Sequence, residues 1–295
     1  MGSQIAQAYP AAAQIFKRAN EIIGYDLQKI CFQGPEEKLN STTISQPAIF
    51  VTSAAFLEVL RTESALKPDV TAGLSLGEYT ALYAAGAMSF EDALTLVQKR
   101  GQAMQAAADA TEGSMVSIIG FDEPKVNELC EKAAEGKVLK AVNFNCPGQI
   151  VISGSKAACR RAEQLATEFG AIKAIPLAVA GAFHTEMMAT AADELQKAIY
   201  NCKIACPADI KVIANINAQY YHDSSQIAES LVMQLTSPIL WQQCMERLLA
   251  DGCRKFYEIG PGKVLTGLMK RINRKADCVN ISTLEALNEL IKQVN

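Results

Sequence analysis

Histidine is almost absent: His184 and His222 are the only two in 295 residues, so any chemistry that needs an imidazole base has two candidates. Neither sign of charge is in excess. The 28 Lys and Arg against 31 Asp and Glu leave a net charge of -3, which argues against nucleic acid as the main partner. The N-terminus lacks the basic start and short apolar block of a signal peptide, and no uninterrupted apolar run approaches the roughly 20 residues of a membrane helix. Internal repeats and low-complexity linkers are missing too. The nine cysteines are odd in number and have no paired short spacings. Cys202 and Cys206 lie closest but lack neighbouring histidines, so they make no convincing zinc site. Free thiols in a reducing, cytoplasmic compartment are the simplest reading. What is present, 49% hydrophobic and 20% charged residues, suits an ordinary globular chain long enough for one large domain or two modest ones.

The stretch Gly73-Leu74-Ser75-Leu76-Gly77, followed by Glu78, is the centre of the sequence. Asp69 to Ala72 read as the end of a buried strand, and the Ala- and Leu-rich residues after Gly77 read as a helix. Strand, tight turn and helix are the context in which G-x-S-x-G becomes a nucleophile elbow, because glycine permits the close backbone approach that lifts the serine oxygen out. A glycine-rich turn whose serine caps the following helix is the plainer alternative.

The chain begins with an amphipathic helix in which Ala12, Ile15, Phe16, Ala19, Ile22 and Ile23 recur at helical spacing, with Pro10 in its first turn and Gly24 at its end. A second helix is expected after Ser45, with Pro47 at its first position. Ser89 and Asp92 form a capping pattern for a third, whose apolar stripe runs Phe90, Ala93, Leu94, Val97, Gly101 and Met104. Arg100 falls on or beside that stripe. A guanidinium against an apolar face is costly unless an anion meets it, although a snorkelling arginine in a structural salt bridge has the same spacing. From Ser114 the texture changes to β-α-β-β-α-β, the ferredoxin-like order, which predicts an insert over 113–181 within a discontinuous larger domain, 1–112 and 182–295. His184 then stands at a loop-to-helix junction next to the domain boundary, where clefts form. His222 sits in a polar, turn-rich stretch and reads as surface, so His184 is the better base. DIKVIANINA reads as a strand, two helices part near Ser237 and Pro238, and Lys263, Lys270, Arg271, Arg274 and Lys275 make a basic run. That run is a solvated helix face or, alternatively, a docking patch for an acidic partner.

Blocks spread over nearly the whole chain, among them ISQPAIF, AGLSLGEYTAL, LVQKRGQAMQ, VNFNCPGQIVISG, AGAFHTEMM, QLTSPILWQ and YEIGPGKVLTGLMKRI, resemble the malonyl-CoA:acyl carrier protein transacylases of fatty acid synthesis. The resemblance implies an α/β-hydrolase-like large domain with a parallel sheet and a ferredoxin-like insert. It implies ping-pong transfer of a malonyl group to the phosphopantetheine thiol of acyl carrier protein. By the same resemblance Ser75 matches the nucleophile, His184 the base, Leu76 the oxyanion-hole N–H, and Arg100 the partner of the malonyl carboxylate. Gln234 matches the glutamine whose main-chain carbonyl orients the histidine, and Gln46 and Asn145 match polar residues near the pocket. No metal or redox cofactor is implied, coenzyme A enters as part of the substrate, and the expected protein is a monomer with neither membrane nor nucleic acid as partner.

Two departures accompany the resemblance. Leu74 stands where the family usually has histidine. Family members also begin with a hydrophobic strand and a G-Q-G-x-Q loop that supplies a second oxyanion N–H. The nine residues before Pro10 align with the segment after that loop, so the register omits strand and loop. The expectation is weaker turnover and lower stability than in a version that carries them. The rival readings are a serine esterase or thioesterase, and a low-activity relative that binds acyl-CoA or carrier protein. If a targeting segment preceded this sequence, a plastid or mitochondrion replaces the cytoplasm.

Overall fold

A computed structural model describes residues 1–179 and 181–295. The chain is α/β, with eight strands in three small sheets among the described residues. Strand β1 (Val70–Thr71) leads into the serine turn. Strands β2 (Gly113–Ile119), β3 (Leu139–Cys146), β4 (Gln149–Ser155) and β5 (Lys173–Pro176) form an antiparallel sheet in the order β3-β4-β2-β5. Helices Glu123–Ala134 and Lys156–Glu168 complete this β-α-β-β-α-β unit. Its own apolar cluster includes Val116, Ile118, Val126, Leu129, Ile152 and Ala162, all essentially closed to solvent. Strand β6 (Lys211–Val212) pairs in parallel with β1, and β7 (Lys255–Ile259) in parallel with β8 (Asp277–Ile281).

The largest core is helical. Helices Pro10–Ile23, Thr42–Glu63 and Phe90–Asp109 meet there, contributing Phe16, Phe50, Val51, Phe56, Leu94 and Val97. Burial of such side chains is worth about 1.5–3 kcal/mol each, which makes this cluster the rigid floor of the site. The first of these helices starts on Pro10 and ends on a left-handed Gly24, as its sequence suggests. Ser89 caps the third by accepting from the Asp92 N–H at 3.0 Å.

Helix Thr42–Glu63 departs from expectation. It starts three residues before Ser45, with Ser41 as the flanking residue, and carries Pro47 in its interior. Tertiary packing explains the early start: a Cβ on Gly101 would sit 2.9 Å from the Thr42 carbonyl oxygen, so the two helices touch there. That contact sets Gln46 next to Arg100. This helix is also long and apolar enough to cross a membrane by length and composition, but 67% of its apolar window is buried within the protein, as a core helix would be. The strand expected over DIKVIANINA is shorter than its apolar pattern. Only Lys211 and Val212 join the ladder, because Ile213 bridges to Tyr220 and Asn215 is drawn under the serine turn.

Candidate active site

The serine turn closes because Gly73 has no side chain. A Cβ there would lie 2.0 Å from the carbonyl carbon and oxygen of Gly77. Ser75 adopts φ 50°, a left-handed conformation that L residues avoid, and its N–H donates to Asn215 Oδ1 at 2.6 Å. Asn215 Nδ2 in turn donates to the Gly73 carbonyl at 2.8 Å, so one buried amide holds both ends of the bend. Helix Gly77–Ala84 follows. The N–H of Leu76 has no hydrogen-bond partner among the described residues and lies directly after the serine.

His184 also has a positive φ, 63°. Thr185 fixes its turn, its hydroxyl donating to the Ala182 carbonyl at 2.7 Å and accepting from the Met187 N–H at 3.2 Å. The imidazole is 4% exposed. Nδ1 lies 2.7 Å from the main-chain carbonyl of Gln234, which must accept, so Nδ1 carries the proton and Nε2 has a free lone pair. Nε2 faces Ser75 Oγ at 3.0 Å. Burial, reinforced by the nearby Arg100 charge, pushes the imidazole down to about 4, so the ring is neutral at physiological pH.

Arg100 is 1% exposed and no carboxylate among the described residues pairs with it directly. Nη1 donates to Gln46 Oε1 at 2.7 Å, while Nη2 donates to Ser75 Oγ at 2.9 Å and Gln234 Oε1 at 3.0 Å. Its Nε–H is buried and unpartnered. Burial lowers its pKa, opposed by Tyr79 and Glu78. The snorkelling reading of its place on the helix therefore fails: the side chain turns inward and its guanidinium touches the serine oxygen.

Ser75, His184, Arg100, Gln234, Gln46 and Leu76 are thus brought together. Asn145 is not joined to them: it is 9% exposed, its Oδ1 has no partner, and its side chain makes no hydrogen bond to this group. His222 is exposed, as its polar context suggested. Asn215, Glu78 and Tyr221 complete the constellation and do not stand out in the sequence. Glu78 was visible only as the residue after the motif, and nothing in local spacing links it to Asn215 or Tyr221, over 130 positions away. The basic run is exposed, but Arg271 is engaged with the β3–β4 turn, donating to the Pro147 carbonyl at 3.0 Å and to Gln149 Oε1 at 2.8 Å.

A nucleophile, a neutral base oriented by a carbonyl, a free turn N–H and a buried cation can together carry out acyl transfer on a group bearing a negative charge. The model of the family described as "Acyl transferase domain" matches residues 1–294. Among known proteins, the malonyl CoA-acyl carrier protein transacylase of Bacillus subtilis is 42% identical, over 100% of this chain and 94% of the relative. The solved transacylase of the same description from Coxiella burnetii superposes with a TM-score of 0.96 at 36% identity, over 100% of this chain and 93% of that one. A malonyl-transacylase solved with its type II PKS acyl-carrier protein gives 0.96 at 37%, over 99% and 94%.

Proposed function

Because the chain belongs to the acyl transferase domain family, among the malonyl-CoA:acyl carrier protein transacylases, we propose that Ser75, His184, Leu76 and Arg100 carry its reaction. It is an acyltransferase that moves malonyl from malonyl-CoA to acyl carrier protein. The observation that carries the assignment is Arg100, a buried guanidinium that reaches the serine oxygen and has no carboxylate partner of its own. Such a group selects an acyl chain with a free carboxylate at its far end. An esterase for neutral acyl groups has no use for a desolvated cation at that point.

In the first half-reaction Ser75 Oγ attacks the thioester carbonyl and its proton passes to His184 Nε2. The oxyanion accepts the Leu76 N–H. Collapse breaks the carbon–sulfur bond, the proton goes to the departing thiolate, and malonyl-serine remains. In the second half the phosphopantetheine thiol yields its proton to His184 and attacks the ester carbonyl, restoring Ser75. Gln46 and Gln234 hold Arg100, and the Gln234 carbonyl holds the imidazole. Asn145 enters as a residue near the pocket, without an assigned step.

We read the larger unit, 1–112 and 182–295, as α/β-hydrolase-like with β1 and β6 in its parallel sheet, and 113–181 as a ferredoxin-like insert, which the strand order β3-β4-β2-β5 supports. Carrier protein is assigned to the exposed basic face at Lys263, Lys270 and Arg274, with the chain a cytoplasmic monomer that needs no cofactor. The test is intact-mass analysis after exposure to malonyl-CoA. One malonyl group on Ser75, lost in Ser75→Ala and discharged by carrier protein, is expected; an unmodified protein would refute the assignment.

A further inference from the structure

Beneath the serine turn lies a buried carboxylate that the transfer steps do not use. Glu78 is 1% exposed, although it stands in the first turn of helix Gly77–Ala84, where carboxylates are ordinarily solvated. Its Oε1 accepts from the Tyr221 hydroxyl at 2.5 Å and from the Asn215 N–H at 3.3 Å. Its Oε2 accepts from Gln234 Nε2 at 2.5 Å. Gln234 Nε2 also donates to the Ser75 carbonyl at 3.1 Å, and Gln234 Oε1 accepts from Arg100. Turning that amide over would set its NH₂ against the guanidinium and its oxygen against a carboxylate and a carbonyl. The amide therefore has one permitted polarity, and Glu78 enforces half of it.

Charge gives the arrangement a second meaning. Among the described residues of this buried cluster Arg100 is the one cation and Glu78 the one carboxylate, linked through a single amide. An isolated buried charge is strongly unfavourable, so each stabilises the ionised form of the other. We infer that Glu78 is a positioning residue for malonyl transfer: acting through Gln234 it aims Arg100 at the acyl site, and it balances the Arg100 charge until the substrate carboxylate arrives. This rests on the reading that Arg100 takes that carboxylate.

A consequence can be measured without any variant. Once malonyl occupies Ser75, two carboxylates share one guanidinium, and the enclosed one gains affinity for a proton. Burial already holds the Glu78 carboxyl up at about 7, against the pull of Tyr221, Gln234, Asn215 and Arg100. The other titratable groups facing it do not exchange protons near neutrality. Burial pushes Tyr221, Tyr79 and Cys244 far up, and burial with Arg100 holds His184 down at about 4. Close to pH 7 acylation itself is proton-neutral, because the serine proton ends on the coenzyme A thiol, which with a pKa of about 8.5 stays almost wholly protonated there.

The experiment follows pH-indicator absorbance in weak buffer close to pH 7, with the proton released by free coenzyme A at the same pH subtracted, while intact mass reports the Ser75 adduct. Uptake of a fraction of a proton per malonyl adduct is expected, and none in Glu78→Gln. That isostere forces one donor against another, at Gln234 or at Asn215, so turnover per titratable site should fall about tenfold or more. Its preference for malonyl over acetyl should fall with it, which a merely structural role would not produce. Tyr221→Phe removes a bond that favours the carboxylate, so its uptake should move to higher pH. Complete malonylation without proton uptake overturns the inference, as does a Glu78→Gln enzyme with the parent's acyl preference. Failure to form any adduct overturns instead the assignment of Ser75 and Arg100, and the inference with it.

Discussion

Replacing Arg100 with alanine should erase the enzyme's choice of acyl group rather than its capacity for acyl transfer. Arg100 is 1% exposed, so a carboxylate meeting it does so in a low-dielectric setting. Truncating one member of such a pair costs about 2–5 kcal/mol, or about 30-fold to several thousand-fold in kcat/KM for malonyl-CoA. Acetyl-CoA has no carboxylate and loses only the Arg100 Nη2 contact to Ser75 Oγ. The malonyl-to-acetyl ratio of kcat/KM should therefore drop by at least about 30-fold, read from coenzyme A release at titrated sites. A second signature comes from His184, whose imidazole is held at about 4 by burial and then by the Arg100 charge. Removing the cation lets that value rise, so the acidic limb of the malonyl-CoA rate profile should move to higher pH. Arg100→Lys keeps the charge but not the planar fork, and should hold the limb near its place while recovering little of the selectivity. An unchanged acyl ratio in Arg100→Ala, or an unmoved limb, would refute the role given to Arg100.

Other outcomes follow from individual contacts. Gly73→Ala places a methyl group 2.0 Å from the Gly77 backbone, so the turn must open; we expect destabilisation of about 4 kcal/mol or more and no burst of coenzyme A, and a parent-like denaturation midpoint would contradict this. His184 is neutral in the folded chain down to about 4 but protonates near 6.5 when unfolded, so its contribution, about 3 kcal/mol, is complete above pH 6.5 and vanishes as pH falls towards 4. Denaturation of the parent and of His184→Gln across that window should show the extra slope in the parent alone. Charge reversal at Lys263, Lys270 and Arg274 should raise KM for carrier protein and leave KM for malonyl-CoA unchanged; equal effects on both would remove carrier docking from that face. Arg271 is unsuited to this test, since its bonds to Pro147 and Gln149 make any change there a change in the β3–β4 turn.

The parts of the site that were legible in the sequence are those whose signals are local or scarce. Ser75 lies within a five-residue pattern, His184 is one of two histidines, and Arg100 breaks an apolar stripe. The β-α-β-β-α-β unit was legible because each element carries its own period and turn. What escaped depends on contacts across the chain. Thr42 starts its helix early because Gly101 lets another helix touch it, and the strand after Lys211 stops short because Asn215 serves the serine turn. Glu78, Asn215 and Tyr221 are ordinary by composition and spacing. Their meaning lies in hydrogen bonds spanning 137 to 156 positions, which no periodicity encodes.

Ser75 and His184 both have left-handed backbones, and each such residue costs on the order of 1–3 kcal/mol unless its surroundings hold it there. The holders are amides: Asn215 grips the Ser75 N–H and the Gln234 carbonyl grips His184 Nδ1. A neutral carbonyl in that second place matters chemically. A carboxylate at Nδ1 would stabilise the imidazolium and strengthen the base, whereas burial and Arg100 here weaken it. Thiol exchange tolerates this, because a thiol of pKa about 8.5 gives up its proton far more readily than water. Water at the malonyl-serine meets the same weak base and, unlike Ser75 Oγ held 3.0 Å from Nε2, must first be positioned there. On the roles proposed for Ser75 and His184, the geometry that holds the imidazole neutral therefore favours passing the acyl group to a thiol over losing it by hydrolysis.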